Sequence, residues 1–346
     1  MRRFLRSCGL VALLPAAAML LVVLTAGGTW SAAAYAIGFF ALPLAAVLRN
    51  RRAGRGLAAS AAGLFALSVF VRCVGGDHGR DLRMRTGARE GGRYVDRIVD
   101  EQDLAVNAAR VIRWTGFMGD PDVPALSGAM RDAYERMRAA QGTTPSPVLA
   151  TYLGLQGADA YDDVEIGDVA GADGVVLFLH GFAGSFTLPC WEVSRAAAEA
   201  KLATVCPATR WVGDWWSPGG EAILRATVAD LKRRGVTQIY LAGLSNGAVG
   251  ASLLAPRFPG TFAGLIVISG ASGDAPPPAM PVLAVQGRSD AQIPASIVRG
   301  YTTRAAGRYV ELDAGHFALL VREEEATAAM AKWLTEQSRG RRRTRS

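Results

Sequence analysis

Gln238-Ile239-Tyr240-Leu241-Ala242-Gly243-Leu244-Ser245-Asn246-Gly247-Ala248 is the stretch from which the fold follows. Its first half is a short apolar run, as expected of a strand buried on both faces. Its second half is Gly-x-Ser-x-Gly, opening a helix that begins near Ala248. A serine there sits on a strained strand-to-helix turn, its hydroxyl above the sheet edge, with glycines relieving the crowding. The helix N-terminus beneath it favours developing negative charge. A Gly/Ser turn by itself is commonly only a turn. This one is the single match of its kind in the chain, and it has the required strand and helix around it.

Working outward, similar apolar runs occur at 175–179, 203–206, 265–268 and 282–285, with helical stretches at 190–201, 221–234 and 247–255. That alternation predicts an α/β fold with a mainly parallel sheet covered on both faces. Three further segments at strand ends carry chemistry. His180-Gly181-Phe182-Ala183-Gly184-Ser185 follows the strand ending at Leu179. Acyl transfer needs two donors aimed at the oxyanion, and the backbone N–H groups of Phe182 and Asn246 are the candidates, with His180 bracing the loop. Gly287-Arg288-Ser289-Asp290 puts a carboxylate at a strand's C-terminal end, and Asp313-Ala314-Gly315-His316-Phe317 precedes the last helix. Serine is a poor nucleophile at neutral pH, so a base must take its proton and a carboxylate must orient that base. His316 is the candidate base and Asp290 its acid. Asp313 reads as part of the loop leading into the histidine, and Asp274 is the reserve acid.

The G-L-S-N-G, H-G-F-A-G-S, G-R-S-D and A-G-H-F segments, in this order, resemble those of the α/β-hydrolase superfamily over roughly residues 150–336. The resemblance implies a serine hydrolase whose triad, in chain order, is Ser245, Asp290 and His316. Many α/β-hydrolases insert a lid near 269–281, and this sequence has no room there for a large one. In that economy it looks like the phospholipase/carboxylesterase and dienelactone-hydrolase-like branches. The implied chemistry needs no cofactor. With three histidines and no C-x-x-C pair, a metal centre is not expected either.

Residues 208–220 follow a strand at the sheet edge where ligands bind in such folds. Trp211, Trp215 and Trp216 are therefore candidate walls of an acyl or aromatic pocket, the alternative being that they pack the loop onto the core. Cys190 and Cys206 are expected on one edge of the sheet. A disulfide between them is geometrically allowed, and two buried free thiols are the alternative.

The N-terminal region has a different texture. From Ser7 to Leu48 there is no charged residue, about twice the 20 apolar residues that one membrane helix needs. The run breaks near Gly27-Gly28-Thr29-Trp30, which predicts two spans, near 9–26 and 30–48, joined by a tight hairpin. A third apolar stretch from Gly56 reaches spanning length only if Arg72 snorkels to the interface. A cleavable signal peptide is the rival for the first segment, and the second apolar segment directly after it favours an anchor. With three spans, seven arginines (2, 3, 6, 49, 51, 52 and 55) lie on one side and five (72, 80, 83, 85 and 89) on the other. That bias puts the rest of the chain outside the cytoplasm; if the third segment does not span, the side reverses.

Residues 77–149 read as a helical connector, with Gly142 to Pro147 as a boundary and His78 as an inert loop residue. The net charge of +8 is largely a tail effect, because removing five arginines of R-G-R-R-R-T-R-S leaves +3. No zinc-finger, Walker or RNA-binding pattern accompanies that tail, so nucleic acid is not an expected partner. The expected organisation is a membrane anchor (1–76), the connector (77–149), a hydrolase domain (150–336) and a basic tail (337–346). The expected activity is hydrolysis of small-molecule or lipid carboxylic esters, through an acyl-enzyme on Ser245, by a membrane protein with an extracytoplasmic catalytic domain. The rivals are a thioesterase, amidase, peptidase or acyltransferase with the same triad, and a non-catalytic membrane scaffold on the same fold.

Overall fold

A computed structural model describes the chain apart from residues 1, 27, 49–51, 75–78, 88 and 344–346. His78, Arg49, Arg51 and Arg345 lie outside the described residues.

Three helices come first: α1 (Arg2–Ala26), α2 (Trp30–Val47) and α3 (Arg52–Cys73). α1 packs on α2 and α2 on α3. All three are long and apolar enough to cross a membrane, with mean hydropathies of 2.5, 1.6 and 1.7 over their apolar windows. Thr29 caps α2 by accepting from Ala32 N–H. Arg72, the charge at the end of α3, is satisfied by protein: it donates to the Arg97 carbonyl at 2.7 Å and pairs with Asp100 at 3.4 Å.

The next segment holds β1 (Leu82–Thr86), β2 (Arg89–Glu90), α4 (Val95–Ile98), α5 (Glu101–Thr115), α6 (Val123–Gln141) and α7 (Val148–Tyr152). Then follow β3 (Asp162–Ile166), β4 (Val175–Leu179), α8 (Thr187–Glu199), β5 (Ala203–Pro207), α9 (Pro218–Arg233), β6 (Ile239–Leu244) and α10 (Asn246–Leu254). The chain finishes with β7 (Gly264–Ile268), β8 (Val282–Gly287), α11 (Ala295–Arg304), β9 (Arg308–Leu312), α12 (Ala318–Val321) and α13 (Glu323–Arg343).

The strands make one nine-stranded sheet in the order β2-β1-β3-β5-β4-β6-β7-β8-β9. β5 through β9 are parallel, while β1, β2 and β3 add an antiparallel edge. The wholly apolar runs follow from period-two alternation between two covered faces. Val176, Phe178, Tyr240, Ile266 and Leu283 enter the core beneath α8 and α13. Val175, Leu177, Leu241, Val267 and Ala284 enter the opposite core, beneath α9, α10 and α11. Residues 269–281, between β7 and β8, hold no helix or strand.

Two expected boundaries do not exist in the fold. The division at 149/150 fails because β1 pairs residue for residue with β3, Leu82 against Ile166 and Met84 against Val164. Val106, Leu126 and Met137 of α5 and α6 also enter the main core. The supposed connector is therefore part of the α/β body. The basic tail likewise has no break at 337, since α13 continues to Arg343.

Candidate active site

Ser245 stands between β6 and α10 with φ 53° and ψ −120°, a left-handed conformation that costs a non-glycine residue about 1–3 kcal/mol. The surroundings over-determine it. Ser245 N–H donates to the Ile268 carbonyl at 2.9 Å. A Cβ on Gly247 would lie 2.0 Å from the Leu179 carbonyl oxygen, so only glycine lets α10 approach β4.

His316, on the loop after β9, places Nε2 2.9 Å from Ser245 Oγ. Its Nδ1 lies 3.0 and 2.9 Å from the two oxygens of Asp290, which follows β8. Asp290 also accepts from the N–H groups of Gln292 and Ile293 and from the Gln286 amide. Burial works to raise its pKa, but the His316 hydrogen bond and charge, with those backbone donors, outweigh it and hold the carboxyl below its ordinary value. Asp290 is therefore ionised at neutral pH, Nδ1 carries the proton it donates, and Nε2 is free to accept from Ser245. Asp274, the reserve acid, is exposed. Asp313 is exposed as well, facing Arg288 and Arg322 at 3.7 and 3.9 Å.

Asn246 is the first residue of α10, so its N–H has no acceptor within the helix. Its side chain is tied to the Val212 carbonyl at 2.9 Å. Phe182 lies on the turn after β4, and among the described residues no backbone acceptor takes its N–H. His180 is buried and neutral: burial pushes its pKa down to about 4. Thr209 N–H donates to its Nε2, so its Nδ1–H donates to the Gly181 carbonyl. It ties the 180–186 loop to the loop after β5.

The three tryptophans separate. Trp211 is half-exposed and meets Phe182 edge to face at 5.1 Å, and Trp216 is also partly exposed. Trp215 does not fit the expectation of a pocket wall. It is 0 % exposed, inside the core beneath α9, because its Nε1–H finds the His180 carbonyl at 2.9 Å. Cys190 and Cys206 form a disulfide joining the first turn of α8 to β5.

Sequence reasoning missed the groups that hold the histidine loop. Asp120 accepts from His316 N–H at 2.9 Å and Ala291 N–H at 3.2 Å, and Asp122 from Gly315 and Phe317 N–H at 2.8 and 2.9 Å. A Cβ on Gly315 would sit 2.1 Å from Asp120 Oδ1, so the loop needs glycine to seat on this carboxylate. Burial raises the pKa of Asp122, and the charges of Asp120 and Asp290 add to the rise. Glu101 does similar work on the other side, accepting from Thr187 and Leu188 N–H at the start of α8. The one available signal was a pair of acids flanking Pro121 between apolar residues. Among the described residues, no group of three or more His, Cys, Asp or Glu is arranged to hold a metal.

The strand–turn–helix at Ser245, the glycine-containing loop after β4 and the chain order of Ser245, Asp290 and His316 are those of the α/β-hydrolase fold. No protein-family model matches the chain, and no curated protein sequence matches it. Solved structures do. Est1E from Butyrivibrio proteoclasticus is 18% identical over 51% of this chain and 94% of its own, with a TM-score of 0.43. The Pyrococcus furiosus esterase Pf2001 is 15% identical over 52% and 90%, TM-score 0.43. XC6422 from Xanthomonas campestris, described as an α/β serine hydrolase without lid, is 22% identical over 51% and 91%, TM-score 0.43.

Proposed function

We propose that this α/β-hydrolase-fold chain is a membrane-anchored serine hydrolase that cleaves carboxylic esters through an acyl-enzyme on Ser245. The observation that carries the proposal is the continuous relay from Ser245 Oγ through the His316 ring to an ionised Asp290. Ser245 Oγ attacks the ester carbonyl carbon while its proton passes to His316 Nε2. The Phe182 and Asn246 N–H groups receive the oxyanion. Collapse breaks the ester C–O bond, and His316 gives its proton to the departing alkoxide, which leaves as the alcohol. Water then attacks acyl-Ser245, giving a proton to His316. The acid departs as His316 returns that proton to Ser245 Oγ. Asp290 fixes the tautomer throughout, and Asp120 and Asp122 hold the loop on which His316 rides.

The anchored, extracytoplasmic arrangement draws support from three features. α1, α2 and α3 each have spanning length. The α1–α2 hairpin meets the α/β body where Thr29 N–H donates to Asp103 at 2.8 Å, opposite the end where α1 begins at Arg2 and α3 at Arg52. The Cys190–Cys206 disulfide suits an oxidising compartment.

The test is labelling by a fluorophosphonate, with hydrolysis of p-nitrophenyl esters measured alongside. Ser245→Ala should lose the label and drop the rate by a factor on the order of 10⁴ to 10⁶. Folded wild-type protein that takes no label would end the serine-hydrolase reading.

A further inference from the structure

One face of α5 is largely apolar, with Asn107 and Thr115 also on it, and it opens toward the helix's C-terminal end. Opposite its buried residues Ala105, Val106 and Ala109, the side chains of Leu104, Ala108, Val111 and Trp114 recur at helical spacing and run on to Phe117. Val111 is 44% exposed, Trp114 59% and Phe117 80%. Hydrogen bonds place both ends of this element. At its start, Asp103 accepts from the N–H and hydroxyl of Thr29 in the α1–α2 hairpin, and α1 packs against α5. Past its end, Asp120 and Asp122 grip the His316 loop. Fifteen helical residues separate the two ends by about 22 Å. The open stripe therefore leads from the membrane helices toward the loop that carries His316.

Charge accompanies the stripe. Arg110 lies beside it, four residues before Trp114, whereas Arg113 follows Val106 by seven residues on the α6 side and donates to the Pro124 carbonyl. At the hairpin a cavity of about 270 Å³ is lined by Arg72, Arg97 and Arg138 with Trp30 and the carboxylate of Asp100. A helix with an apolar face, a flanking arginine, a tryptophan and an arginine-lined cavity at its start is the kind that lies in a bilayer interface and prefers anionic lipid.

We infer that α5 lies flat in the headgroup layer of the bilayer that α1–α3 enter, with the stripe from Leu104 to Phe117 against acyl chains. The Ser245 site then draws its ester from a lipid of that same bilayer. This rests on reading Ser245 as the nucleophile and α1–α3 as spans. An upright α5 would hold the whole stripe in water, whereas a flat one buries it and sets the His316 side of the site at the lipid surface.

Full-length protein in nanodiscs of phosphatidylcholine and phosphatidylglycerol tests this without requiring activity. In a Cys8→Ser, Cys73→Ser background, a nitrobenzoxadiazole probe on Trp114→Cys should emit at shorter wavelength than one on Lys232→Cys, on the far side of the body. Spin-labelled lipid should quench it, and aqueous iodide should not. Quenching by iodide alone, or protection only in a self-associated form, overturns the inference. A Val111→Glu, Trp114→Glu variant should lower the ratio of bilayer-lipid to soluble-ester hydrolysis about tenfold, and an unchanged ratio overturns the substrate route. Absence of Ser245-dependent hydrolysis of either substrate would count against the esterase reading, while the depth measurement would still decide where α5 lies.

Discussion

Ser245 and His316 meet at 2.9 Å, yet the chain holds them in different ways. The serine turn is built from its neighbours in the central strands. β6 delivers it, the Ile268 carbonyl on β7 takes its N–H, and Gly247 lies against Leu179 on β4. The histidine loop draws on remote help: the acceptors of the Gly315 and His316 N–H groups lie 193 and 196 residues earlier in the chain. A local motif is thus enough to set the serine turn, whereas the histidine depends on a segment that carries no motif. Reach between them is decided by both.

Substitutions on the two sides should therefore fail differently. Gly247→Ala would bring a methyl group to 2.0 Å from the Leu179 carbonyl oxygen, which only a shift of strand or helix can relieve. We expect no folded protein, read by circular dichroism and thermal melting. Asp120→Ala leaves the sheet and the serine turn alone but strips the acceptor from His316 and Ala291 N–H, at about 1–3 kcal/mol each. A loop displaced by about 1 Å should lower kcat about 100-fold, with KM little changed. A folded, active Gly247→Ala, or an Asp120→Ala with wild-type kcat, would erase the distinction.

The same contrast explains what could be read from the sequence. β4, β6, β7 and β8 are legible because strands buried on both faces are continuously apolar. β3 is not: Asp162-Asp163-Val164-Glu165-Ile166 looks like a polar loop. Asp162 and Glu165 are buried because Arg93 meets Asp162 at 3.0 Å and Arg85 meets Glu165 at 2.8 Å, with Arg234 also on Glu165, while burial and the Glu165 charge push the pKa of Asp163 well up. Those partners come from three separate places in the chain. Asp120 and Asp122 were hidden likewise, since Gly-Asp-Pro-Asp reads as a turn and nothing in it points to residue 316. Trp215 was legible as aromatic, but its burial depends on the His180 carbonyl.

Acid should sharpen the comparison, because the two sides titrate in separate windows. His180, beside the serine turn, falls from 6.5 in the unfolded chain to about 4 in the fold. As pH drops below 6.5 the unfolded chain takes up this proton first, so stability is lost between 6.5 and about 4. By pH 4.5 the loss from this group is about 2.5 kcal/mol. Asp290, on the histidine side, has a lowered value, so its contribution is present above the usual carboxylate range and goes only below it. Asp96 and Glu192, raised to about 7 by burial, act in the opposite sense. The readout is therefore the difference in denaturation free energy between wild type and His180→Gln at pH 7 and 4.5. A difference that does not narrow by roughly 2 kcal/mol would mean His180 is not held neutral.

The smallest expected effect tests the rim on the serine side. Trp211 touches Phe182 edge to face, a contact that contributes about 0.5–1.5 kcal/mol beyond area burial. Trp211 is open enough to meet an acyl chain, whereas Trp215 is sealed in the core. Trp211→Ala should therefore leave folding intact and raise KM about five-fold for long-chain esters, the equivalent of about 1 kcal/mol, with little change for acetates. Trp215→Ala belongs to the other category and should cost about 3–5 kcal/mol of stability with no chain-length preference. Equal changes of KM across chain lengths in Trp211→Ala would show that the aromatic pair stiffens the 180–186 loop and does not line a path for the acyl group.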